Sequence, residues 1–305
     1  MNSPLSGIVP PMITPLRDYD ALDVGGLERL IEHLIDGGVS GIFILGTTGE
    51  GPSLSYPLRR ELIDRTCAFV ANRLPVLVGI TDSAFSESIG LAKAAADAGA
   101  QALVVAPPYY FPLGQPELLN YIRRLTTELP LPLYLYNMPA MTKVVIEPQT
   151  VRQVLEIRSI VGFKDSSGDL DYFEQILELA KLRPDWSVLI GPEHLTAEAV
   201  TRGGNGGVNG GANLHPRLFV NLYKAALRQD ADVVSKLQQQ VVQLGQIYRV
   251  GRHASAIIKG LKCALSIRGI CNDLPAHPFQ RFDSPERDRV ARLLEGLSLG
   301  ENFGM

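Results

Sequence analysis

The feature that most constrains the fold of this chain is a repeated unit in which an amphipathic stretch ends at glycine and a short apolar run follows. The amphipathic stretches at residues 27–35, 89–98 and 197–202 are each followed in this way. Glycine after a helix readily adopts the left-handed conformation that caps it. An apolar run without polar alternation is typical of a strand covered on both faces, and such strands form parallel sheets.

Apolar runs of this kind recur before residue 210, with helical patterns between them. They cover residues 7–13, 41–46, 76–80, 102–106, 133–136, 160–164, 188–191 and 207–208. Eight strands at this spacing predict an α/β fold, a closed (β/α)₈ TIM barrel within residues 1–228. The alternative is an open doubly wound sheet. It is disfavoured because no GxGxxG motif follows the first run, where such a fold would hold a dinucleotide.

The strand pattern stops after Pro216, and only helical patterns follow. They cover residues 218–227, 233–248, 254–267 and 287–294. The first of them is expected to close the barrel, and the others predict a C-terminal helical segment within residues 229–305. No low-complexity linker separates the two parts, so we expect the segment to pack on the barrel.

Charge and cysteine usage exclude several functional classes. The net charge of −3 gives no basic surface for nucleic acid. Cys67, Cys263 and Cys271 are widely spaced, and no CxxC occurs, so neither a disulfide framework nor a zinc knuckle is indicated. Free thiols favour a reducing compartment, and the sequence shows no signal peptide and no membrane-length apolar run. We therefore expect a cytoplasmic protein without a membrane partner.

Lys164 is the sharpest candidate among the residues at the C-terminal ends of the predicted strands, where barrels of this type carry their active sites. It ends an otherwise apolar strand. A partly desolvated lysine loses proton affinity, and its neutral amine can attack a ketone. A lysine that extends to solvent, or that pairs with Asp165, explains the same position equally well.

Tyr136 ends the strand before that of Lys164. A phenol beside an amine nucleophile can move protons during the formation and cleavage of bonds. The alternative is a core tyrosine whose hydroxyl is satisfied within the protein, which is the commoner case.

Residues 46–50 (GTTGE) place two hydroxyls and unhindered backbone amides at a strand-to-helix turn. Such a turn suits a carboxylate, because amides and hydroxyls donate hydrogen bonds to negative charge. The alternative is a plain glycine-rich turn. Residues 203–211 are also glycine-rich, and close backbone approach at the last strand explains them better than a phosphate site does. The histidines form neither HxH nor HExxH, so no metal site is expected.

Four segments together resemble the dihydrodipicolinate synthase and N-acetylneuraminate lyase family of Schiff-base aldolases. They are residues 46–50, 108–110, 136–139 and 162–165, in the family's order and spacing. The resemblance covers nearly the whole chain. It implies a class I lyase in which Lys164 forms an imine with pyruvate or another 2-oxo acid, without any other cofactor.

The resemblance also implies roles for further residues. Tyr136 matches the proton-relay tyrosine, and Thr47 and Thr48 match the pair that holds the carboxylate, with Thr47 also in the relay. Tyr110 matches a tyrosine that enters the active site of a neighbouring subunit, in a homotetramer built from two dimers. The other expected substrate contacts, some of them through the backbone, are Gly46, Ser166, Gly191, Glu193, Val208 and Asn209.

The second substrate is where the sequence departs from one branch of the family. Dihydrodipicolinate synthases resemble Tyr-Asn-x-Pro-x-Arg at the fifth strand, and Met141 stands at the arginine position. Methionine cannot bind a carboxylate through a charged bidentate contact. The resemblance is therefore nearer to aldolases that cleave 2-keto-3-deoxy sugar acids into pyruvate and an aldehyde. Dihydrodipicolinate synthase itself remains an alternative, as do a dehydratase that uses the same imine and a non-catalytic sugar-acid binder.

N-acetylneuraminate lyase is a further alternative. In this chain its acidic pair after the seventh strand corresponds to Glu193 and His194, and its serine after the eighth strand corresponds to Gly210. These departures favour the sugar-acid aldolases over this lyase.

Overall fold

The chain forms one parallel sheet that closes on itself and is surrounded by helices. A computed structural model of the protein describes residues 4–297. Its strands are β1 Gly7–Ile8, β2 Leu16–Asp18, β3 Ala21–Leu22, β4 Ile42–Ile44, β5 Val76–Gly79, β6 Ala102–Val105, β7 Leu133–Asn137, β8 Ile160–Asp165, β9 Ser187–Ile190 and β10 Gly206–Gly207.

The helices alternate with the strands until β10 and then follow one another. They are α1 Val24–Asp36, α2 Tyr56–Val70, α3 Phe85–Asp97, α4 Gln115–Thr126, α5 Pro139–Thr142, α6 Pro148–Val154, α7 Leu170–Ala180, α8 Thr196–Thr201, α9 Pro216–Leu227, α10 Ala231–Leu244, α11 Ala256–Ile267 and α12 Ser284–Gly296. Short 3₁₀ helices occupy Gly51–Ser53, Glu193–Leu195, Gly210–Asn213 and Gly245–Arg249.

The strand order shows a closed barrel. Eight strands pair in the order β1-β10-β9-β8-β7-β6-β5-β4, and β2 and β3 form a separate antiparallel hairpin. The ring closes where the Phe43 amide donates to the Pro10 carbonyl (3.0 Å) and the Met12 amide donates to the Phe43 carbonyl (2.8 Å). The predicted (β/α)₈ fold is therefore confirmed, and the doubly wound alternative is wrong.

Two apolar layers hold the barrel together, because successive strand residues face opposite sides of the sheet. On β6, Ala102 and Val104 belong to a cluster inside the barrel that also contains Tyr134. The intervening Leu103 and Val105 pack in the larger cluster between the strands and the helices. This burial on both faces explains why the strands read as continuous apolar runs.

The first predicted strand is much shorter than expected. The run at residues 7–13 forms only the two-residue β1, followed by a single bridge at Pro11. Pro10 and Pro11 interrupt the ladder because proline has no amide hydrogen to donate. The last strand is displaced by one residue from the predicted 207–208 to Gly206–Gly207.

The described part of the C-terminal region is helical, as the sequence pattern indicates. The helix predicted at residues 233–248 divides into α10 and the 3₁₀ helix Gly245–Arg249, at a glycine of low helix propensity. α10 packs on α9, and the 3₁₀ helix packs on α11. The division into a barrel (1–228) and a helical segment (229–305) stays a prediction, and residues 298–305 of that segment lie outside the described residues.

Candidate active site

Lys164 and Tyr136 face each other inside the C-terminal end of the barrel. They are register partners on the adjacent strands β8 and β7. The Lys164 Nζ lies 3.8 Å from the centroid of the Tyr136 ring and 5.1 Å from that of the Phe43 ring. Each of the two side chains is only 5% exposed. The amine therefore lies against aromatic faces in a nearly dry environment.

Burial and mutual contact change the acidity of both groups. Burial lowers the pKa of Lys164, although the Tyr136 phenol and the Asp165 carboxylate oppose the change. For Tyr136, burial alone acts to raise the pKa, but the charge of Lys164 and hydrogen bonds from Thr47 and Ser166 outweigh it, so that the pKa is lowered. Both shifts ease the loss of one proton from the pair, as a nucleophilic amine requires.

The Thr47–Thr48 turn lies beside Tyr136 at the C-terminal end of the barrel. The hydroxyls of Thr47 and Tyr136 lie 3.5 Å apart, at the outer limit of a hydrogen bond. Thr48 lies opposite the start of the 3₁₀ helix Gly210–Asn213, because a Cβ built on Gly210 would be 3.8 Å from the Thr48 Oγ1. Gly46 fits where no side chain can, since its Cβ would meet the Phe43 ring at 2.6 Å.

A buried hydrogen-bond network fixes the strand ends that carry the pair. The Asn137 Nδ2 donates to the Asp165 Oδ1 at 2.8 Å, one residue beyond the Tyr136–Lys164 register pair. The Ser167 hydroxyl donates to the other carboxylate oxygen at 2.8 Å. Asn137 in turn accepts the Ile146 amide at 3.0 Å. Slippage of either strand would break these bonds, so they hold the amine and the phenol in register.

Residues at the C-terminal ends of β9 and β10 border the candidate site next to β8. A Cβ on Gly191 would lie 2.0 Å from the Ser166 Oγ, so only glycine fits beside that hydroxyl. The Val208 amide donates to the Ile190 carbonyl at 2.8 Å, and Val208 belongs to the barrel interior. Asn209 is fully buried, and its amide donates to the Thr196 hydroxyl at 2.9 Å. Asn209 therefore fixes this edge of the barrel rather than lining open space.

Glu193 lies beside Gly210 but is already engaged. Its Oε1 accepts the Gly211 amide at 2.5 Å, and the Tyr248 hydroxyl lies 2.9 and 3.1 Å from its two oxygens. Burial raises the pKa of Glu193, and these hydrogen bonds act in the opposite direction. A Cβ on Gly210 would be 3.4 Å from the Glu193 Oε1, so Gly210 lies between this carboxyl and Thr48.

Tyr110 does not join the site of its own chain. It is 78% exposed, and its neighbour Phe111 is 76% exposed, with the two rings edge to face at 5.2 Å. Both line a surface cavity of about 720 Å³ that also includes Phe85 and Tyr121.

Within residues 4–297, no group of three or more His, Cys, Asp or Glu side chains is arranged to hold a metal ion. In the same part of the chain, no helix combines the length and the apolar character needed to cross a membrane.

Sequence reasoning missed several contributors to this site. Phe43 beneath the amine and Tyr248 on Glu193 come from distant parts of the chain, and their sequence surroundings do not distinguish them from core aromatics. Lys262 pairs with Glu50 behind the threonine turn. Lys262 could have been noticed in the sequence, because it is a charged residue next to the apolar residues Leu261, Cys263 and Ala264. All four are buried in α11.

Comparison with known proteins identifies the family of this chain. The sequence model of the dihydrodipicolinate synthetase family matches residues 4–297. A probable 2-dehydro-3-deoxy-D-pentonate aldolase of Escherichia coli (YjhH) is 30% identical, over 95% of this chain and 96% of that protein.

Two solved structures extend the comparison. Dihydrodipicolinate synthase from Bacteroides thetaiotaomicron is 54% identical with a TM-score of 0.95, covering 97% of this chain and 100% of that one. YagE of E. coli, solved in complex with pyruvate, is 29% identical with a TM-score of 0.90, covering 97% of this chain and 99% of that one.

Proposed function

The chain belongs to the dihydrodipicolinate synthetase family and is a lyase, and on that basis we propose that it cleaves or forms a carbon–carbon bond of a 2-oxo acid through an imine on Lys164. The observation that carries the proposal is the buried pair of Lys164 and Tyr136, with the Nζ 3.8 Å from the phenol ring. A binding protein needs neither a desolvated amine nor a phenol beside it.

The geometry supports the following course. The neutral Lys164 amine attacks the ketone carbon, water leaves with protons moved by Tyr136 and Thr47, and a protonated imine forms. The bond between carbons three and four breaks, and its electron pair enters the imine to give an enamine. The proton of the carbon-four hydroxyl passes to Tyr136, and an aldehyde departs. Protonation of the enamine at carbon three and hydrolysis of the imine release pyruvate and restore the amine.

The substrate carboxylate would be held by the Thr47–Thr48 turn, whose Thr47 hydroxyl lies 3.5 Å from the hydroxyl of Tyr136. Gly46, Ser166, Gly191, Glu193, Val208 and Asn209 are proposed as the remaining substrate wall, with Asn209 acting through its neighbours. The imine supplies the electron sink for bond cleavage. For that reason we propose that the reaction needs no metal and no other cofactor.

A 2-keto-3-deoxy sugar acid is the proposed substrate. Met141, at the start of the segment after β7, is 48% exposed and carries no charge. It cannot bind the carboxylate of a second acidic substrate through paired hydrogen bonds. The relative named as a pentonate aldolase supports the same choice.

Dihydrodipicolinate synthase activity is the second candidate, because the 54% identical structure from B. thetaiotaomicron carries that name. Condensation of pyruvate with aspartate semialdehyde would then take place on the same imine. The two candidates are separated by assaying both reactions with one preparation. Met141→Arg should raise only the synthase reaction if that position selects the second substrate.

The deciding experiment is trapping of the imine. The protein is incubated with pyruvate and borohydride, and its intact mass and peptides are measured. A reduced pyruvyl adduct on Lys164 is expected. Lys164→Ala should give none, and Lys262, equally buried but paired with Glu50, should stay unmodified in both proteins. If excess pyruvate leaves the folded wild-type protein without an adduct, the imine mechanism is wrong and a non-catalytic binder becomes the better account.

We further propose that the protein acts in the cytoplasm as a tetramer made of two dimers. The exposed Tyr110 and Phe111 support an interface there, because two adjacent aromatic rings at the rim of an apolar cavity are unusual on a free surface. In that assembly Tyr110 would enter the partner's site and extend the proton relay of Tyr136.

A further inference from the structure

Behind the threonine turn lies a wholly buried ion pair that the reaction does not use directly. Lys262 of α11 and Glu50, the last residue of the GTTGE segment, form a salt bridge in which both side chains have no exposed surface. The Lys262 Nζ also donates to the Leu274 carbonyl at 2.8 Å. The second Glu50 oxygen accepts the Ala276 amide at 2.6 Å. Glu50 is thus bound to two parts of the C-terminal segment.

Glu50 is directly coupled to the turn. Its amide donates to the Thr47 carbonyl at 3.1 Å, and the Gly51 amide donates to the Gly46 carbonyl at 3.2 Å, so Glu50 closes the loop that carries both threonines. A displacement of the Glu50 backbone would therefore shift the backbone of Thr47 and Thr48 with it.

The backbone of this loop is held in an unfavourable conformation. Leu45 has φ of +59° and Glu50 has φ of +57°, which is the left-handed region that residues other than glycine rarely occupy. Such conformations persist where surrounding contacts enforce them, and they concentrate at functional sites. The salt bridge and the Ala276 amide are the contacts that hold Glu50 in place.

Stability alone does not account for the pair. The removal of two charges from water largely cancels their attraction, and an apolar pair of similar volume is often as stable or more so. Lys262 bears this desolvation directly, since burial lowers its pKa even though Glu50 opposes the change. A pair that adds little stability but fixes a strained loop is more naturally explained by the geometry it imposes.

We propose that Glu50 and Lys262 are positioning residues, which lock the Thr47–Thr48 turn to the C-terminal helical segment and so set the affinity of the site for the carboxylate of a 2-oxo acid. This proposal rests on the function proposed above. It assigns the C-terminal segment a part in substrate binding, although that segment supplies no residue to the pair of Lys164 and Tyr136.

The test uses a charge-free pair, Glu50→Gln with Lys262→Met, in which the glutamine can still accept the Ala276 amide. Formation of the pyruvyl adduct is followed against pyruvate concentration. The half-saturating concentration should rise about 10- to 100-fold, because a small displacement of a binding group has effects of that size. The limiting rate at saturation should change much less. A folded double variant with the wild-type half-saturating concentration would overturn the proposal.

A matched control separates the pair from a general loosening of the C-terminal segment. Arg287→Leu removes the ion pair with Asp273 in the same segment (2.8 Å) without touching Glu50. Its half-saturating concentration should equal that of the wild type, and a rise as large as that of the double variant would contradict the specific role. Failure of the proposed function is a different result, namely no adduct in the wild-type protein.

If the double variant does not fold, hydrogen exchange on the wild-type protein tests whether the turn and the C-terminal segment are coupled. The Ala276 amide reports directly on Glu50, to which it donates. Binding energies between two coupled sites are reciprocal, so the trapped pyruvyl adduct should slow exchange of this amide about 5-fold or more. Equal exchange rates at Ala276 in the free protein and in the adduct would show that the turn and the segment are uncoupled.

Discussion

The proposed chemistry depends, at the residue scale, on one amine that is kept out of water. Lys164 has apolar strand residues before it, the Tyr136 and Phe43 rings against it, and Asp165 as its nearest acid in the chain. The Asp165 carboxylate is occupied by Asn137 and Ser167, so it does not hold the ammonium in a direct salt bridge. Burial therefore dominates, and the amine loses its proton more readily than a lysine in water.

Replacement of Tyr136 by Phe tests this balance. The phenol raises the pKa of Lys164 against the effect of burial, so its removal should lower that pKa further. An amine is neutral above its pKa, and adduct formation should therefore rise with pH through a midpoint that lies lower in the variant. Turnover should fall about 10²–10⁴-fold with the loss of proton transfer.

The matched control for this variant is Tyr134→Phe. Tyr134 lies two residues earlier on the same strand, inside the barrel, and its hydroxyl donates to the Ser187 hydroxyl at 3.4 Å. The Tyr134→Phe variant should lose about 1 kcal/mol of stability, as expected for one buried hydrogen bond. The pH midpoint of adduct formation should stay unchanged. Equal shifts in both variants would mean that Tyr136 acts through general packing.

Removal of the Glu193 charge is predicted to stabilise the protein, whereas Tyr134→Phe should destabilise it. Burial raises its pKa in the folded protein, so its ionised form opposes folding, and the stability present at low pH is lost as pH rises through the raised pKa. Glu193→Gln keeps an acceptor for the Gly211 amide but carries no charge. Its melting temperature should exceed that of the wild type at pH 8, on the order of 2 °C, with no difference at pH 4. A lower melting temperature at pH 8 would show that the carboxylate is net stabilising.

At the scale of elements, β1 and β10 pair through a close contact that only glycine permits. Gly206 of β10 has φ of +151°, and a Cβ there would lie 1.9 Å from the Gly7 carbonyl oxygen of β1. Gly206→Ala should therefore force β1 and β10 apart and lower the free energy of unfolding by about 3 kcal/mol or more. Urea denaturation measures this change.

Gly99→Ala is the control for backbone strain alone. Gly99 also has a positive φ, +86°, but nothing lies within 4 Å of its added Cβ. This variant should cost about 1 kcal/mol, the price of a left-handed alanine. Equal losses in the two variants would show that strain, and not the contact with β1, decides the effect at Gly206.

Strands that are buried on both faces could be predicted from the sequence. Elements that depend on a few local residues could not. The run at residues 102–106 identifies β6 because both of its faces are covered, by Val104 inside and Leu103 outside. The hairpin of β2 and β3 was missed because two- and three-residue strands carry no periodic signal. Pro10 and Pro11 marked the shortening of β1, but the apolar run around them concealed it.

In the candidate site, contacts between neighbouring strands could be predicted from the sequence, and contacts between distant parts of the chain could not. Tyr136 and Lys164 could be placed side by side, because consecutive parallel strands end at one face of a barrel. The contact of Tyr248 with Glu193, and that of Lys262 with Glu50, join the barrel to the helical segment. The packing of that segment depends on its whole apolar surface, which the pattern of one helix does not specify.

At the scale of the whole molecule, the remaining question is whether one chain contains a complete site. Tyr110 is 78% exposed, as expected if it completes the relay of a partner. Tyr110→Phe should then lower turnover, and Lys164→Ala should abolish it. A co-expressed pair of these variants should regain activity, because one subunit supplies the phenol and the other supplies the amine.

The size of this recovery follows from symmetry. In a two-fold dimer with shared sites, a mixed pair contains one site with both groups intact and one site with neither. Random pairing makes about half of the dimers mixed, so about a quarter of all sites should be fully active. Differently tagged subunits allow the mixed dimers to be purified and assayed, and sizing by light scattering establishes the tetramer. Activity equal to that of the Tyr110→Phe subunits alone, or an active monomer, would place the complete proton relay within one chain.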